Sequence, residues 1–269
     1  MHSFFNFVED TNLRLQKLLE HSFEAPIWRL IPSSTNLPSW VVETRTPKQD
    51  VAYYYCTVKS SPKQLVTELS WWSGVETVLG RHIVFHGFVQ QDLPFHQGIK
   101  VVDGESGKLL WQEDFLVYET ASETVLWAKV PTGNQTIISL DVLSGREVEV
   151  KSSLENKTNE DAPLYFPQEN EHFLSILEFV KSLTNQTPIK AVEYLELNEG
   201  LILSYFVPNG KLLDNYLLAT DLNGKLLLHQ QLTTQLKGIA KGTFYVSNGL
   251  LSFVQDRNTL IVYRITSNA

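Results

Sequence analysis

The chain has 269 residues, is 43% hydrophobic and 19% charged, and sets 30 acidic against 22 basic side chains for a formal net charge of −8. That balance, with no cluster of Lys and Arg, argues against nucleic acid and against anionic membrane surfaces, both of which call for a basic face. The single cysteine, Cys56, excludes an intrachain disulfide and a multi-thiolate metal site.

The first residues, "MHSFFNFVEDTNLR", lack an early basic residue, and Asn6, Glu9 and Asp10 interrupt the apolar run. This fails as a secretory signal. No window has the length of a membrane span, so the expected compartment is the cytoplasm. Phe4, Val8, Leu15, Leu18 and Leu19 share a helical face, with acids early and bases late. That pattern predicts an amphipathic helix within residues 1–25. "PIWRLIP" (26–32) then reads as an orphan strand. Residues 39–70 give "SWVVETR", "VAYYYCTV" and "KQLVTELS", with a turn at Ser61-Pro62-Lys63 and one strand unclear. "WWSGVETVLG", "RHIVFHGFV", "GIKVVDG" and "KLLWQEDF" form the next group, and residues 117–151 another. Residues 155–171 are polar and acidic, a solvated connection. Phe173, Ile176, Leu177, Val180 and Leu183 then fall at helical spacing, with Asn170 as the expected N-cap. Residues 191–232 carry four strands, and the C-terminal stretch carries three.

One short unit recurs along this series. "VVDGESGKLLW", "SLDVLSGREVEV" and "LATDLNGKLLLH" each place an Asp before a Ser-Gly or Asn-Gly turn and a basic residue. Asp103, Asp141 and Asp221 stand at one and two multiples of about 40 residues, the length of a propeller blade. The glycine supplies the positive φ of a tight turn, and the Asp side chain can accept backbone hydrogen bonds that pin it.

"VVDGESGKLLW" resembles the blade signature of quinoprotein-type β-propellers, in which Asp, Gly, Lys and Trp recur at this spacing. An uncharacterised bacterial domain family of this size and fold is a second resemblance. The likeness implies an all-β propeller and makes Trp111 a structural wedge between neighbouring blades. Five blades are favoured and six remain open. Residues 26–269 would form a single propeller with a helical insertion near 155–188. Strand 27–31 would pair with 259–265 to close the ring. The likeness does not extend to the quinone. Those enzymes are exported and often carry a vicinal disulfide, whereas this chain has no adjacent cysteines, so no cofactor is expected.

No nucleophile elbow, Walker loop or dinucleotide fingerprint is present. His82 and His86 lie on one side of a strand but roughly 13 Å apart, too far to share one ion. His96, read as a loop residue, could join one of them, yet the expectation is no metal site and folding without metal. One residue of each aromatic run, Trp71-Trp72 and Tyr53-Tyr54-Tyr55, should fill the inter-blade core. The reading is a non-enzymatic module that binds a protein or small-molecule ligand, with neither nucleic acid nor membrane as partner. The alternative is a hydrolase, for example on glycosides, using channel carboxylates such as Glu43, Asp92 and Glu193. In propellers of this kind the connections between second and third strands share one face, and here they are the longer, more varied ones. The expected ligand-binding residues are therefore Asp92, His96, Asn134, Lys211, Asp214 and Arg257.

Overall fold

A computed structural model describes residues 13–65, 69, 71–90, 93–131, 136–150 and 162–267. The expected sites Asp92 and Asn134 lie outside the described residues, as do residues 1–12. The chain divides into two compact units, Met1–Ser22 with Asn159–Ala269, and Phe23–Thr158.

Within the first unit, β1 (Leu13–Ser22) is the edge of an antiparallel sheet with β18 (Phe244–Ser247), β19 (Leu250–Gln255) and β20 (Thr259–Ser267), ordered β1-β20-β19-β18. A second sheet runs β13 (Leu164–Pro167), β14 (Ile189–Leu197), β15 (Gly200–Asn209), β16 (Leu212–Asp221) and β17 (Leu226–Leu236). Leu195, Ile202, Leu217, Phe244, Leu251 and Phe253 form a shared core between these two sheets. The helix α1 (Phe173–Thr184) packs Phe173 and Val180 against Val192, Leu203, Tyr205 and Leu218. All five apolar residues of the predicted stripe belong to that contact. The N-cap is His172 rather than Asn170, whose Oδ1 instead accepts the His172 N–H at 2.9 Å.

Among the described residues, the second unit holds three antiparallel sheets. The first is β2 (Ile27–Pro32), β3 (Ser39–Arg45), β4 (Val51–Thr57) and β5 (Ser60–Gln64). The next is β6 (Gly74–Leu79), β7 (His82–Gln90), β8 (Leu93–Asp103) and β9 (Leu109–Glu113). The last is β10 (Val117–Ala121), β11 (Val125–Lys129) and β12 (Ile137–Asp141). A fourth strand there is reduced to one bridge, Leu140 to Glu147. Among the described residues, no helix is long and apolar enough to cross a membrane.

The repeated unit folds alike three times. Gly107, Gly145 and Gly224 donate back to the carbonyls of Asp103, Asp141 and Asp221 at 2.7, 2.8 and 3.1 Å. Their φ values are 73°, 67° and 77°, the region open to glycine without a Cβ clash. Asp103 and Asp141 accept the Ser106 and Ser144 N–H groups, and Asp221 accepts those of Asn223 and Lys225. The turn also anchors the sheet before it. A Cβ on Gly145 would lie 2.6 Å from the Trp111 ring, and one on Gly104 2.5 Å from the Tyr55 ring. The Trp111 indole donates to the Val142 carbonyl at 2.8 Å, the inter-sheet wedge that the motif implied.

Four expectations are corrected. Residues 13–22 are a strand, not a helix. A bulge shifts the register between Lys17 and Leu19, and one inserted residue turns period-2 alternation into a spacing that imitates a helical stripe. The partner of 259–265 is therefore β1, while 27–32 pairs with β3 and supplies the unclear strand of its sheet. The turn before β5 is Val58-Lys59, closed by the Thr57–Ser60 pair. Ser61-Pro62-Lys63 lies within β5, an edge strand, where proline is tolerated. Leu164–Pro167, read as solvated connection, is the edge strand β13.

Asp103 yields a pH prediction. Burial raises its carboxyl pKa, but hydrogen bonds from Ser106 and the Arg81 guanidinium outweigh this and hold it below the ordinary 3.8. The unfolded chain therefore takes up the proton first. The stabilisation is present above that value and is lost as pH falls through the folded one. Asp103→Asn should melt below the parent at neutral pH, and the gap should close as pH drops below 4. A gap that stays constant down the acid limb would remove Asp103 from the acid response.

Candidate functional site

Among the described residues, polar chemistry gathers in both units. In the first unit, an open cleft of about 590 Å³ is lined by Leu212, Thr233, Gln235, Lys237, Asp256 and Arg257, among others. The hairpin tips β15–β16 and β19–β20 and the end of β17 build it. Gln235, Asp256 and Arg257 adopt φ of 55°, 50° and 67°, costly for residues with a Cβ. The surroundings hold these conformations in place. Asp256 N–H donates to the Leu232 carbonyl at 2.7 Å, and Gln235 N–H donates to Asp214 Oδ1 at 3.0 Å.

Asp214 thus stands behind the cleft. It is buried in strand β16, not in a loop, and also accepts from Asn209 and Gln231. Its role is to shape the wall. Lys211 is exposed in the two-residue β15–β16 turn, next to Leu212 of the lining. Arg257 lines the cleft itself. A second cleft of about 360 Å³ opens in the same unit beside the Asp221–Lys225 turn, with Leu13 and Arg14 in its wall.

His96 belongs to the second unit. It lies in strand β8, not in a loop, opposite Phe88 of β7. Two register shifts converge there. One, between Val75 and Thr77, leaves Glu76 as the extra residue of β6; the other lies at His86/Gly87. Bulges re-aim side chains, and here Glu76, His86 and His96 meet. The imidazoles of His86 and His96 stack, with centroids 3.5 Å apart and planes 12° from parallel. His96 Nδ1 is 2.7 Å from Glu76 Oε1 and hydrogen-bonds to it. His86 Nδ1 is 2.9 Å from the same oxygen but off the hydrogen-bonding direction, and has no hydrogen-bond partner. Phe88 meets both rings edge-on at 5.1 Å. Burial pushes the Glu76 carboxyl up, but the His86 and His96 imidazoles beside it outweigh this, holding the pKa below 4.5. The three ligating atoms lie within 4.8 Å of one another. The residue pattern places His82 and His86 on one side of a strand and marks His96, but it does not mark Glu76, because a bulge leaves no trace in the pattern.

Two of the carboxylates raised as catalytic candidates are engaged elsewhere. Glu43 is fully buried and accepts Arg45 Nε at 2.5 Å. Glu193 accepts the backbone N–H groups of Gly242 and Thr243 and the Thr243 hydroxyl.

Comparison with known proteins gives a family model described as "Domain of unknown function (DUF4905)", which matches residues 34–111. No curated protein matches. Among solved structures, BamB from Moraxella catarrhalis is similar at 10% identity and a TM-score of 0.33, over 93% of this chain and 99% of that one. The core factor of S. cerevisiae is similar at 12% identity and a TM-score of 0.19, over 86% of this chain but 35% of that one.

Proposed function

We propose that this is a non-enzymatic binding module, its five sheets the blades of a β-propeller whose last blade is completed by β1. The reading of the sheets is supported by the thrice-repeated Asp–Gly turn and the β1–β20 pairing. The ligand is a small molecule bearing an anionic group, taken up by the cleft of the first unit. One observation carries this: the cleft has the volume of a small-ligand site, and three non-glycine residues at positive φ line it. Strain of that kind collects at ligand sites. The lining holds two cations, Lys237 and Arg257, and two threonines, Thr233 and Thr234, against one carboxylate, Asp256, and so favours an anion. The engagement of Glu43 and Glu193 in buried structural contacts weighs against the glycosidase alternative.

Inorganic phosphate is the simplest probe. Its titration should move the amide resonances of Thr233–Lys237 and Asp256–Arg257 in a saturable way, and Arg257→Ala should abolish the effect. Shifts confined to other segments, or none at high phosphate, would overturn the reading.

A further inference from the structure

We infer that Glu76, His86 and His96 form a binding site for a divalent first-row transition ion, with zinc as its reference ligand. The donor set is two imidazole nitrogens and one carboxylate oxygen, a mixture suited to zinc and its neighbours rather than to calcium or magnesium. One zinc bonded at about 2 Å to each would bring the three donors to roughly 3.4 Å from one another. They already lie within 4.8 Å.

An independent observation points the same way. His86 is 5% exposed, and its Nδ1, 2.9 Å from Glu76 Oε1, has no hydrogen-bond partner. A buried polar atom left in that state is costly, and a cation at the cluster would satisfy it. The surroundings also fix the ring. Phe88 stands edge-on to it. Gly74, directly opposite on β6, leaves the room it occupies: a Cβ there would be 2.7 Å from its Cε1 and Nε2.

The two rings cannot both aim in-plane lone pairs at one point while stacked in parallel. One must turn, and His96, at 40% side-chain exposure, has the freedom that His86 lacks. His86 and Glu76 thus form the fixed part of the site, and His96 closes on the ion. Coordination positions beyond these three would go to water or to a further ligand.

The test uses the full chain, freed of any tag and stripped with a chelator. Zinc titrated by calorimetry should bind one ion per chain. The imidazole nitrogen resonances of His86 and His96 should shift together, and those of His82 should not. His96→Ala and Glu76→Gln should each weaken binding by roughly tenfold or more, while His82→Ala should leave it unchanged. Absence of saturable binding would overturn the inference. So would an affinity that survives both His96→Ala and Glu76→Gln, or one that falls in His82→Ala.

Discussion

A chain that begins at Phe23 is expected to melt about 10 °C below the full chain and to lose amide protection in β20. β1 buries Leu13 completely and packs Leu15 against the core shared by the two sheets of its unit. These side chains and their neighbours along the strand contribute about 4 kcal/mol by burial, and for a chain of this size each kcal/mol moves Tm by roughly 2–4 °C. Leu13 also reaches across to the other sheet, where its Cδ2 lies 3.1 Å from the place of a Cβ on Gly200. The truncation leaves β20 as a bare edge from Thr259 to Ser267. Hydrogen exchange at Leu260 and Val262 is the direct readout. A truncated chain that melts with the parent, with those amides still protected, would show that β1 does not secure the last sheet.

Glu193→Ala should be nearly as damaging. The carboxylate is 5% exposed and accepts Gly242 N–H at 2.5 Å, Thr243 N–H at 2.9 Å and the Thr243 hydroxyl at 2.5 Å. It ties β14 to the segment leading into β18, so one side chain joins the two sheets of its unit. Hydrogen bonds to a charged group contribute about 1.5–3 kcal/mol each, and the orphaned donors add a desolvation cost. With water taking over part of these contacts, the expected loss is about 4 kcal/mol, or a fall in Tm of about 10 °C. Glu193→Gln keeps one acceptor oxygen and should recover part of this. Faster exchange at Gly242 and Thr243 should accompany both variants. If Glu193→Ala melts within about 2 °C of the parent, water replaces the carboxylate and the clamp carries no energy.

What the sequence made legible is what local chemistry dictates. The Asp–Gly turns were readable because only a few residues accept positive φ beside a side chain that binds its own backbone. The helix of residues 173–184 was readable because five apolar residues keep one period without interruption. The strand β1 was not, since its bulge at Lys17/Leu19 breaks the period on which the reading depends. The same reason hid Glu76, the inserted residue of a second bulge. Asp214 was found as a polar residue near a hairpin tip, but not as the buried acceptor that holds Gln235. That role depends on a partner 21 positions away, and local pattern does not carry such pairings. Trp111 was read correctly through its motif, whereas Tyr55, doing the same against Gly104, has no motif to mark it.

The pairing of β1 with β20 sets a schedule for making the protein. Ser22 meets Thr259 across 237 residues, so a ribosome working at roughly 5–20 residues per second exposes β1 for roughly 12–50 s before its partner exists. During that interval Leu13, Leu15 and Leu19 have no sheet to cover them, and both edges of the strand offer free backbone groups to any neighbouring chain. Lys17 and Glu20, exposed and paired on the outer side of the strand, place charge on a segment that must wait, which lowers its tendency to join another nascent chain before its own end arrives.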